Sequence, residues 1–202
     1  MLSKTVVGLC VLLSTIFNTY WISAPMKWTT AGQLENESSW NVHSTLKTSR
    51  ELGRGLAQLT IAYNKNGSER FNSFKEALNS FKPLRNWNWK SDPYNVKYQM
   101  TYIVLKDKVN YEKISKIFIH SSSEIWRGAL VSYNSGYGLI LKRRFVAHIQ
   151  KIPDNRWTNG LDHAFSSPKS VLLYGKSLND TINQYPIRVF QRAKKYQRLF
   201  NK

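Results

Sequence analysis

The stretch "ESSWNVHSTLKTSRELGRGLAQLTIAY", residues 37 to 63, decides how the chain is read. Most of it is polar and irregular, with Gly53 and Gly55 as breakers, and it reads as a loop. Its last part, "LAQLTIAY", is an apolar run that reads as the start of a buried helix. Upstream, "MKWTTAGQLENES" (26–38) places Trp28, Ala31, Leu34 and Ser38 at helical spacing. Downstream, "FNSFKEALNSF" gathers Phe71, Phe74, Ala77, Leu78 and Phe81 on one helical face. A long helix is expected from an Asp92 cap with Pro93 behind it to about Asp107. "YEKISKIF", "SEIWRGALVSYN" and the segment after "SGYG" read as further helices. An Asp180 cap opens a basic amphipathic helix in which Pro186 is a kink. The expectation is a mainly α fold of the α+β type, one globular helical domain over residues 26–202, behind an N-terminal hydrophobic segment (1–25).

The 202 residues are enough for one domain with a full core, and 42% apolar content excludes a disordered chain. Thirty Lys and Arg stand against twelve Asp and Glu, a net charge of +18. Such a field draws polyanions: nucleic acid, anionic lipid or an anionic cell wall. The cations concentrate in "LKRRF" and in "QRAKKYQRLFNK", without a long basic run. A single cysteine, Cys10, excludes an internal disulfide, and the scattered histidines lack metal-binding spacing, so no metal is expected.

Residues 5–26 carry no charge and follow Lys4, the pattern of an export signal or signal anchor. "ISA" offers a cut after Ala24, although Pro25 disfavours it. Either targeted reading places residues 26–202 outside the cytoplasm, in the periplasm or held at the inner membrane facing it. The plain alternative is a buried core helix, against which the lysine flank and the N-terminal position weigh.

Cleaving a glycosidic bond requires a carboxylic acid that protonates the leaving oxygen. If a substrate group replaces the second carboxylate, one acid is enough, with neutral polar residues to orient the sugar. Glu35 and Glu37 are two apart, about 200° around a helix, so they cannot act as a pair from one face. Helical spacing does not choose between them. Three blocks follow in order: Glu37-Ser38; "SRELGRGLAQLT" with Ser49, Gly55, Leu56 and Gln58; and "SYNSGYG" with Tyr133, Asn134, Gly136 and Gly138.

Together these blocks resemble the soluble lytic transglycosylase family, which shares the goose-type lysozyme fold, and in particular its phage and prophage lysis enzymes. The resemblance extends over most of residues 30 to 200 and chooses Glu37, through Ser38, as the acid/base. It implies that Ser49 and Gln58 line a sugar subsite, and that Tyr133 and Asn134 position N-acetylmuramic acid and steady the glutamate. It implies cleavage of the MurNAc–GlcNAc β-1,4 bond without metal or cofactor, leaving 1,6-anhydro ends, by a monomer acting as an endolysin. Leu52, Ala57 and Ser132 depart from the family pattern.

Alternatives stay open. A hydrolytic lysozyme on the same fold would use water, with Glu51 as the available second carboxylate. A basic, membrane-tethered nucleic-acid-binding protein would account for the charge, but no nucleic-acid motif is present. His163 and Asp92 have structural readings, a hydrogen-bonding residue and a helix cap. The C-terminal "RAKKYQR" and residues 5–26 are the expected membrane contacts.

Overall fold

The computed structural model describes residues 2–165, 172–173 and 176–201. The chain is mostly helical, with a four-stranded antiparallel sheet. It divides into two compact units, residues 1–105 with 192–202, and residues 106–191.

The first unit opens with α1 (Lys4–Tyr20), capped by the Ser3 hydroxyl, which accepts from the Val6 amide. Its polar residues are absorbed locally: Thr15 and Thr19 donate to carbonyls one turn back. Cys10, Leu13, Ile16 and Phe17 are buried on one face, while Val11 on the other is exposed. Burying a side chain such as Leu13 or Phe17 is worth about 1.5–3 kcal/mol. This helix packs on α8 (Gln197–Phe200). No helix among the described residues is long and apolar enough to cross a membrane.

Helix α2 (Trp28–Ser38) ends where the sequence reading placed it, and Ala31 and Leu34 are fully buried. The next stretch differs from expectation. Residues read as loop form β1 (Thr45–Lys47) and β2 (Glu51–Arg54), and the apolar run read as helix is β3 (Leu59–Tyr63). With β4 (Glu69–Asn72) these make an antiparallel sheet in the order β1-β2-β3-β4. In β3, Leu59, Ile61 and Ala62 are all buried, so the strand lacks the alternation that distinguishes a half-exposed strand.

Asn72 starts α3 (Ser73–Ser80) by accepting from the amides of Phe74 and Lys75. Phe71 therefore belongs to β4 and is exposed, while Phe74 and Ala77 enter the core. The long helix α4 (Val96–Ser115) begins later than expected and absorbs the segment read as a separate helix. Asn95 supplies its cap by accepting from the Tyr98 amide. The Asp92 carboxylate accepts from the Asn95 side chain instead.

The second unit contains the end of α4, α5 (Ser122–Ser135), α6 (Tyr137–Gln150) and most of α7 (Leu178–Ala193), which holds Pro186. A two-stranded ladder, β5 (Leu172–Leu173) and β6 (Lys176–Ser177), precedes α7. Ile114, Phe118, Val131, Ile140, Ala147 and Leu161 form part of its core. The fully buried Arg143 crosses that core. Its guanidinium donates to Leu161 O at 3.0 Å, to Asn183 Oδ1 at 2.7 Å and to Asn179 Oδ1 at 3.3 Å, and it lies over the Trp157 ring. Burial pulls the pKa of Arg143 down to about 10, which leaves it charged at neutral pH. Within "LKRRF", then, Arg143 is internal and Arg144 pairs with Asp154 at 3.2 Å, leaving Lys142 as the exposed cation.

Candidate functional site

Glu37 is half-buried in the last turn of α2. The Ser38 hydroxyl turns back to donate to Leu34 O at 3.0 Å, so Ser38 finishes the helix. Ser39 and Trp40 then adopt left-handed backbone with φ of 51° and 64°. Two consecutive non-glycine residues in that region cost about 1–2 kcal/mol each, and such strain concentrates at functional sites. Trp40 holds the conformation in place. Its ring is buried against Tyr196 with centroids 5.6 Å apart, and its indole N–H donates to the Tyr196 hydroxyl at 2.6 Å.

Glu35, two residues earlier, is tied to the C-terminal segment. Its carboxylate accepts from Lys195 Nζ at 2.7 Å, from the Tyr196 hydroxyl at 2.7 Å and from Arg192 at 3.4 Å. Burial raises its pKa, but the hydrogen bonds from Lys195 and Tyr196 and the charges of Lys195 and Arg192 outweigh that effect. The carboxyl is held below the ordinary range. Tyr196 is shifted the other way, upward, first by burial and then by its bond to Glu35. A carboxylate held this way is a poor proton donor and a good staple. Glu35 ties α2 to residues 192–196, and part of the C-terminal basic cluster read as a membrane contact is engaged in that tie.

The second block folds as hairpins. Ser49 is exposed in the turn joining β1 and β2. Gln58, with φ of 45°, lies in the turn joining β2 and β3. They sit at opposite ends of β2, a strand of four residues that spans about 13 Å at about 3.3 Å per residue. The structure therefore does not bring Ser49 and Gln58 to one sugar ring. Ser44 is the serine beside Gln58: its carbonyl accepts from the Gln58 side-chain amide at 3.4 Å and from the Gly55 amide at 2.7 Å. The Gln58 amide also donates to Gly55 O at 2.9 Å, so the side chain braces its own turn.

Gly55 is required in that turn by two constraints. Its φ is +75°, and a Cβ there would lie 1.9 Å from Gln99 Nε2. Gln99 fills that space and fastens α4 to the hairpin. It accepts from the Ala57 amide at 2.9 Å and donates to Pro93 O at 2.7 Å. Sequence reasoning missed Ser44 and Gln99; the only available signal was Gly55, whose missing side chain makes room for the glutamine.

Comparison with protein-family models, curated proteins and solved structures finds no match.

Tyr133 and Asn134 belong to the second unit, in the last turn of α5. Tyr133 is half-buried and Asn134 exposed. Ser132 bonds Gly128 O within the helix, and Gly136, at φ of +83°, closes it before α6 begins. Glu51 forms an ion pair with Arg70 at 2.9 Å across the sheet. His163 is exposed beside Asp162, whose carboxylate accepts from the Gly160 amide. Among the described residues no group of three or more His, Cys, Asp or Glu could hold a metal ion.

Proposed function

We propose that the chain is a peptidoglycan lytic transglycosylase with Glu37 as its single acid/base. In this reading the protonated Glu37 carboxyl delivers its proton to the bridging oxygen as the C1–O bond breaks. The resulting carboxylate then takes the proton of the substrate's own 6-hydroxyl as that oxygen closes on C1, leaving a 1,6-anhydro end. The observation that carries the reading is the strained helix end after Glu37, followed directly by an antiparallel sheet whose β2–β3 turn holds the Gly55–Gln58 block. The staple at Glu35 supports the choice between the two carboxylates, since cations hold that one ionised.

Tyr133 and Asn134 enter by resemblance as sugar-contacting residues. Ser49 enters the same way, and its exposed turn makes it an outer contact rather than a neighbour of Gln58. Residues 1–25 serve export toward the periplasm, the partner is the glycan strand, and the biological role is lysis of a host cell by a monomer. A lysozyme-like hydrolysis would need a second acid, and Glu51 is engaged by Arg70.

Digestion of purified cell wall tests both halves of the proposal. Muropeptides lighter by one water than reducing ends identify a transglycosylase, and reducing ends identify a hydrolase. Glu37→Gln should keep its fold and its wall binding and lose activity about 10²–10⁴-fold. Full lysis by that variant overturns the assignment.

A further inference from the structure

Helix α6 buries Ile140, Arg143 and Ala147. Its opposite side carries Leu141, Phe145 and Ile149, spaced four apart on one stripe, and these are 47%, 68% and 62% exposed. Singly exposed apolar residues are ordinary, but three in a row on one helix face mark a contact surface. The stripe cannot roll inward, because the Arg143 guanidinium is held on the far side by Leu161, Asn179 and Asn183. Lys142 borders the stripe on one side and Lys151 follows the helix end; on the other side lie His148 and Arg144, the latter paired with Asp154. The helix contains no acidic residue. An open depression of about 410 Å³, lined by Leu141, Lys142, Phe145 and Val146, lies alongside.

We infer that α6 is an interfacial docking surface for an anionic phospholipid bilayer. An exposed apolar stripe bordered by cations is what a helix lying in the headgroup plane requires: apolar side chains enter the acyl boundary and ammonium groups meet lipid phosphates. The sign of the charge selects this occupant. A second copy of the chain would bring the same cations, on a molecule of net charge +18, against the same stripe. Nucleic acid would match the charge but leave Leu141, Phe145 and Ile149 in water. An anionic bilayer satisfies both features. The inference is independent of the chemistry at Glu37, and it places membrane contact on α6 rather than on the C-terminal segment, where Arg192 and Lys195 bind Glu35.

The test is co-sedimentation of the full chain with vesicles of phosphatidylglycerol and phosphatidylcholine, or of phosphatidylcholine alone, at low and high salt. The wild type should bind anionic vesicles at least about tenfold more tightly than neutral ones, and salt should weaken that preference. Phe145→Ser with Ile149→Ser should reduce binding about tenfold or more while leaving the circular dichroism and unfolding midpoint unchanged, because both positions are exposed. Lys142→Glu should cost about fivefold or more on anionic vesicles alone. Because α1 is untouched in these variants, insertion through α1 would leave their binding at wild-type strength, and that result overturns the inference. So would a lipid-free dimer that the serine variants dissolve, or tight nucleic-acid binding that depends on Phe145.

Discussion

Helix α1 holds Cys10, Leu13, Ile16 and Phe17 at 3% exposure or less, whereas α6 leaves Leu141, Phe145 and Ile149 between 47% and 68% exposed. In sequence the contrast runs the other way. Helix α1, charge-free after Lys4, has the composition of a membrane element, while α6 carries "KRR" through its middle and looks like a solvated basic helix. The difference lies in what each helix's inward face meets. The apolar face of α1 is buried, in part by packing on α8, and its threonines are satisfied along their own backbone. In α6 the inward face is occupied by a buried guanidinium, and part of the apolar content points outward. Mean composition measures how much apolar surface a helix has, and partners determine how much of it remains exposed.

The largest expected effect is at Cys10. Burial pushes its thiol from 9.0 to about 12, a difference of three, so the thiolate is on the order of a thousandfold scarcer than in an exposed thiol. Alkylation of the native protein at pH 8 should be slower by at least that factor and should become fast on unfolding. Rapid native labelling would mean that α1 is undocked. Next is Phe17→Ala, which should cost about 3–5 kcal/mol in chemical denaturation because it opens a cavity under α1. Glu35→Gln should cost about 1–3 kcal/mol, since Lys195 and Tyr196 lose the charged acceptor that binds them.

The same residue sets an acid limit. The folded pKa of Glu35 lies below its unfolded value of about 4.5, so its contribution is complete above that pH. It is lost as pH falls through the folded pKa, and a pH series of unfolding midpoints should be flatter below 4.5 for the Gln variant. Smallest is Phe145→Ala, which should change stability by no more than about 0.5 kcal/mol. A large loss there would show that α6 is packed like α1 and erase the contrast.

The helices were legible in sequence where they carry a cap or a periodic apolar face. Residues 28–38 and 122–135 were read correctly, as was the core of 73–80. The sheet was not legible, for two separate reasons. Strands β1 and β2 are short, polar and interrupted by Gly53, so they resemble a loop. Strand β3 is buried on both faces, and a short continuous apolar run is compatible with either helix or strand. Missing the sheet also misplaced the second block, because only its register shows that a strand separates Ser49 from Gln58 and that Ser44 lies beside Gln58. At the candidate acid, the sequence offered Ser38 as the discriminator. The partners that hold Glu35 ionised lie 157 to 161 positions away, beyond the reach of any local pattern.

The division of the first unit between residues 1–105 and 192–202 has a consequence in time. Helix α1 is made before α8, on which it packs and which begins at Gln197, more than 170 residues later. At about 5–20 residues per second, the ribosome needs on the order of ten to thirty seconds to cover that interval. Throughout it, α1 waits without the α8 surface on which it packs, and α2 waits without Lys195 and Tyr196, which hold Glu35. The staple beside Glu37 therefore closes late in synthesis, and the helix end that presents Glu37 is completed only when the far segment arrives.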